Sequence, residues 1–176
     1  MGLFGPSRKE KFVQGNARAL AEYVKNNAVK LGGEAYAKCQ FVGIFPPEID
    51  KARLWYFWSV VFAFRVAQDT LALKRVIDDK TSRILFEEFI EIDNKYLRSI
   101  EHEPYEETFG SVNFALEVIK AYAGKSSFEQ ASAFMLNAVK ALNGLSDQER
   151  RFAVVKALTE AAIGFPPIVA VIEQSA

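Results

Sequence analysis

From Leu54 to Phe64 the chain is apolar at every position except Ser59. These eleven residues are too few to span a bilayer. Extending the run to Leu73 brings in Arg65 and Asp69, each costing on the order of 2.5–3.5 kcal/mol at mid-bilayer. A run this apolar that cannot sit in lipid has to be wrapped by the rest of the chain. It predicts a central helix, rich in Trp and Phe, with the other elements packed around it.

The chain of 176 residues is long enough to do the wrapping as a single domain over 1–176. Half of it is hydrophobic and a quarter charged, the balance of an ordinary globular domain. Lys and Arg number 22 and so do Asp and Glu, which argues against a nucleic-acid partner held by phosphate neutralisation. A single cysteine, Cys39, removes a disulfide framework and a multi-cysteine metal site. A single histidine, His102, removes every site that needs two. The first nine residues lack an apolar h-region. Pro6 stands where a myristoylation pattern wants Ser or Thr. These features lead us to expect a cytoplasmic protein with a flexible tail over residues 1–6.

Helix punctuation recurs along the chain. Ser7-Arg8-Lys9-Glu10 reads as a capping box opening a first helix that stops at Gly32-Gly33. Residues 34–45 read as either short helix or extended chain, ended by Pro46-Pro47. A second helix is expected from about Glu48 to Ile77. A third, capped by Asp79, Thr81 or Ser82, should reach about Ile100. A fourth should start at Pro104 and end at Gly124. Ser126-Ser127-Phe128-Glu129 opens a fifth that closes at Gly144, and Ser146-Asp147-Gln148-Glu149 a sixth that ends near Gly164. The β-branched run Ile168–Ile172 suits a strand by propensity. It has no partner strand, so a short terminal helix is the expectation. The predicted fold is therefore all-α, a bundle of six or seven helices.

Local chemical motifs mostly dissolve on inspection. Gly124-Lys125-Ser126 lacks the earlier glycine and the strand of a P-loop. Glu87, Glu88 and Glu91 lie on adjacent turns, but the Glu-x-x-His of a di-iron bundle is missing, so they read as a solvated face. No nucleophile elbow is present. His102 reads as a loop residue and Cys39 as a small buried one. No cofactor or metal is expected. Charge is uneven: residues 1–46 carry seven basic and three acidic side chains, and residues 81–107 three basic and eight acidic. The two regions should attract each other, within one chain or between chains.

One anomaly survives. On the second helix Arg65 and Asp69 fall inside the apolar arc of Leu54, Trp58, Val61 and Phe62. On the third, Asp93 falls among Phe86 and Phe89. Buried charge must be paired or neutralised, so Arg65, Asp69 and Asp93 are expected to share a polar island. That island either ties the helices together or lines a cavity walled by Trp55, Trp58, Phe62 and Phe89, the form of a small-molecule site. The same arc could also be covered by a second copy of the chain. By subtraction, the expected function is a non-enzymatic helical module that binds a protein partner. Behind it stand a carrier or sensor for an apolar or aromatic small molecule, and an enzyme using Arg65, Asp69 and Asp93 as acid–base groups.

Overall fold

The computed structural model describes residues 5–93, 105–142 and 144–175, with the backbone alone over 105–110. Seven α-helices follow one another and no strand occurs among the described residues: α1 (Arg8–Phe41), α2 (Lys51–Leu73), α3 (Asp79–Ile92), α4 (Tyr105–Ala121), α5 (Ser127–Ala138), α6 (Gln148–Ile163) and α7 (Ile168–Ser175). The expected all-α bundle is what forms. The aromatic helix α2 is its axis, packing against all six of the others. It buries residues on every side, among them Phe57, Val61, Phe64 and Ala67, as a helix surrounded by protein must. Phe57 meets Tyr36 and Phe45 edge-on at 5.6 and 5.8 Å, closing an aromatic cluster at one end.

Both capping boxes are made. Ser7 caps α1 and Ser126 caps α5, each exchanging hydrogen bonds with the Glu three residues on. The β-branched tail is helical, with Ile168 and Ile172 fully buried one turn apart. The uneven charge is used inside the chain: Arg18 on α1 pairs with Glu88 at 3.3 Å and Glu91 at 3.5 Å on α3. Exposed pairs of this kind orient helices more than they stabilise them.

Several boundaries differ from expectation. The helix α1 does not stop at Gly32-Gly33 but runs to Phe41, so most of 34–45 is helical. Neither glycine takes a left-handed conformation. Gly32 serves instead as a place of close approach, since a Cβ there would lie 3.1 Å from the Phe57 carbonyl oxygen on α2. The turn that ends α1 comes at Gly43, φ 73°, a value that glycine adopts without strain. The helix α2 starts at Lys51 under an Asp50 cap and ends at Leu73, inside the expected span at both ends. Asp78 caps α3 by accepting the Thr81 N–H at 2.7 Å. Asp79, Thr81 and Ser82, each read as a cap, sit inside or beside its first turn. The helix α5 ends at Ala138 and passes into a 3-10 turn over Val139–Ala141, short of Gly144. Residues 1–4, the predicted continuation of the third helix over 94–100, His102 and Pro104 lie outside the described residues.

Gln148–Ser175 is long and apolar enough to cross a membrane by length and composition, with a mean hydropathy of 1.6 in its most apolar window. It folds as two helices, α6 and α7, separated by Gly164–Pro167. Half of that window is buried against other helices.

Candidate functional site

Arg65 and Asp69 are on the buried face that the helical wheel assigns them. Arg65 is 2% exposed and Asp69 0%. Their charged ends are 4.0 Å apart (Nη2 to Oδ2). What surrounds them comes from the other end of the chain. Arg65 Nη1 donates to the Ala162 carbonyl at 3.3 Å, and its guanidinium lies over the Phe165 ring at 4.2 Å. Asp69 Oδ1 accepts the Ile168 N–H, the first amide of α7, at 3.0 Å. Tyr23 on α1 closes the cluster: its ring meets Phe165 edge-on at 5.9 Å and its hydroxyl donates to the Pro166 carbonyl at 3.1 Å. The pair thus fastens the corner between α6 and α7 onto the central helix.

The match is incomplete. Arg65 Nε and Nη2 and Asp69 Oδ2 are buried without a hydrogen bond, and such atoms keep most of their desolvation cost. Burial pushes the Asp69 carboxyl from 3.8 up to about 6, against the opposing pull of Arg65 and of the Ile168 amide. Burial likewise lowers the Arg65 pKa, against Asp69 and Tyr23. The folded state therefore holds the Asp69 proton more tightly than the unfolded chain does. The cost of the ionised carboxylate is fully present above about pH 6 and fades as the pH falls toward 3.8. Relative to Asp69→Asn, the wild type is expected to gain stability between pH 7 and pH 5. Urea midpoints of both proteins at the two pH values check this, and parallel shifts would refute it.

The other residues read from the sequence lie in separate surroundings. Asp93 is buried, but it faces a cleft with Phe62, Val66, Phe86, Phe89 and Val112, while the carboxylate paired with Arg65 is that of Asp69. Phe62 and Phe89 meet edge-on at 6.1 Å. The cleft has a volume of about 10 Å³, room for one water at most. Trp58 packs against Gly32 and Gly33 on α1, and Trp55 is buried in the core. Among the described residues, the ring that lies over the Arg65 guanidinium is that of Phe165 and not one of these four.

The chain matches no family model, no curated protein and no solved structure.

A larger concavity lies where the sequence pattern placed none. The last turns of α1 and the exposed side of α6 flank an open groove of about 670 Å³. Ala37, Val42, Ile44, Ala153 and Ala157 give it an apolar surface, and Glu34, Lys38, Lys156 and Glu160 stand on its rim. Phe41, which also lines it, is 92% exposed, and Val42 beside it is 63% exposed. Cys39 lines the groove as well, but it is buried and its thiol is pushed up to about 11 by that burial, so it is a packing residue and not a reactive one. A second, smaller hollow of about 410 Å³ lies between α5 and α6, with Leu136 and Phe152 at its edge. Phe41 carries a signal readable in the sequence. Val13, Ala17, Leu20, Val24, Ala28, Ala35, Tyr36 and Cys39 form the buried stripe of α1; Phe41 lies off that stripe, as Phe12 and Tyr23 do, but unlike them it is left in solvent. Ending the helix at Gly33 hides it.

Proposed function

We propose that this protein is a non-enzymatic helical interaction module that receives the apolar face of a partner helix in the groove between α1 and α6. The observation that carries this reading is Phe41, almost wholly in solvent beside an apolar trough. Exposed apolar surface of this concentration on a folded domain is characteristic of an interaction site. A trough between two helices is the shape into which an amphipathic helix lays its apolar side chains. The trough is open to solvent and its polar groups stand on the rim instead of converging on a point, which suits a macromolecular partner better than a small molecule enclosed on most sides. The Arg65–Asp69 cluster is covered by the chain's own residues on each side described and serves to hold α6 and α7.

Incorporating a photo-crosslinking amino acid at position 41, and in parallel at exposed position 30, tests the reading in the protein's own cells. The expected result is a discrete adduct at 41, absent at 30, that disappears when Ala153→Asp puts a charge on the groove wall. No adduct at 41, or one indifferent to Ala153→Asp, would overturn it.

A further inference from the structure

We propose that the occupant of this groove is a second copy of the same chain, docked face to face about a two-fold axis. The proposal rests on the groove being an interaction surface. What it adds is the identity of the partner, read from the charges on the rim.

Lys38 on α1 pairs with Glu160 on α6 at 3.7 Å, and Leu31 on α1 lies against Gly164 at the end of α6. Position rises along one helix as it falls along the other, so the two run antiparallel. The remaining rim charges are Glu34, one turn before Lys38, and Lys156, one turn before Glu160. Both are exposed, and neither has an ion-pair partner among the described residues. Antiparallel packing sends them to opposite ends of the groove, about 12 Å apart along it at 1.5 Å per residue. One end therefore offers an unpaired anion and the other an unpaired cation, on opposite walls.

That arrangement is self-complementary. A two-fold axis lying in the plane of the interface, at right angles to the line from Glu34 to Lys156, brings Lys156 of the second copy over Glu34 of the first. Symmetry then makes the reciprocal pair without further adjustment, because in an isologous contact whatever residue i does to j, residue j does to i. The same axis passes close to the end of α1, about three residues beyond Lys38, so the exposed Phe41 of each copy meets that of the other and the two rings cover one another. The chain's formal net charge is zero, so two copies approach without long-range repulsion. A strongly acidic or basic partner would leave one end of the groove facing like charge.

Sedimentation of the full chain across a range of concentrations tests this. The wild type is expected to pass from monomer to dimer as concentration rises, and Phe41→Asp is expected to stay monomeric. Glu34→Lys and Lys156→Glu each set like charges opposite one another twice per dimer, and each should weaken association roughly tenfold at low salt. The double variant Glu34→Lys/Lys156→Glu restores opposite charges and should return association toward the wild-type value. All the substituted residues are exposed, and circular dichroism of each variant confirms that the helices persist. A wild type that stays monomeric at every concentration overturns the proposal. So does a dimer indifferent to Phe41→Asp, or a double variant no better than the single ones. Binding to neutral phosphatidylcholine vesicles in place of self-association would overturn it too. Crosslinking from position 41 to a different chain, with the wild type monomeric, would leave the groove an interaction surface and remove only the second copy.

Discussion

Replacing Arg65 by alanine is expected to lower the free energy of unfolding by about 3–5 kcal/mol, the range for removing one partner of a buried ion pair. The substitution leaves Asp69, 0% exposed, without its cation, and removes the guanidinium from the face of Phe165 and from the Ala162 carbonyl. A companion variant separates loss of charge compensation from loss of packing. Removing both charges from a buried pair while keeping volume is often close to neutral. Here the choice at position 69 is constrained, because Asp69 Oδ1 accepts the Ile168 amide. Leucine there would leave that N–H unpaired, whereas asparagine keeps an acceptor. Arg65→Met/Asp69→Asn is therefore expected to recover most of the loss, with the methionine sulfur beside the Phe165 ring. Urea denaturation of the three proteins decides it. A loss below about 0.5 kcal/mol for Arg65→Ala, the value of a surface change, would contradict the burial of the pair.

The second large effect is expected at Gly32. In the middle of a helix, glycine is usually a weakness worth up to about 1 kcal/mol against alanine. Gly15 on the same helix fits that rule: it is exposed, and a Cβ there would have nothing within 4 Å. Gly15→Ala should stabilise the protein by up to about 1 kcal/mol. Gly32 breaks the rule. A Cβ there would stand 3.1 Å from the Phe57 carbonyl oxygen and 3.1 Å from Trp58 Cδ1. Trp58 is partly exposed and can turn aside, but the Phe57 backbone belongs to a helix packed against all six of the others and cannot. Gly32→Val is expected to cost about 1–3 kcal/mol, the usual penalty for overfilling a packed contact. Thermal melts of the two variants should move in opposite directions, and melts that move together would refute the close-approach account.

How far the sequence reveals this fold depends on the range over which each signal acts. The capping boxes at Ser7 and Ser126 are local, four residues wide, and both form. The pairing of Arg65 with Asp69 spans one turn and also forms. The apolar run from Leu54 identifies the central helix because no other environment in a bundle this size accepts it. Gly32-Gly33 misleads because glycine answers two needs, a left-handed turn and a close helix contact, and only the facing helix shows which applies. Asp93 is buried as its arc predicts, yet it faces Phe62 and Val66 on α2 instead of Arg65. One residue on a helix is about 100° of rotation, so a periodic pattern that places a side chain inside does not say which neighbour it meets. The groove between α1 and α6 depends on where α1 ends, and so vanishes from a reading that stops the helix at Gly33.

The contacts of Arg65 and Asp69 join residues 97 and 99 positions apart. During synthesis the chain emerges from its N-terminus, so the central helix is complete long before Ala162 and Ile168 exist to cover it. Until then two opposite charges and the apolar surface around them stand uncovered on a helix otherwise ready to pack. A chain that stops before residue 162 lacks the Ala162 carbonyl, the Phe165 ring and the Ile168 amide that cover this strip. The buried pair on the central helix is therefore satisfied only once the corner between α6 and α7 has docked.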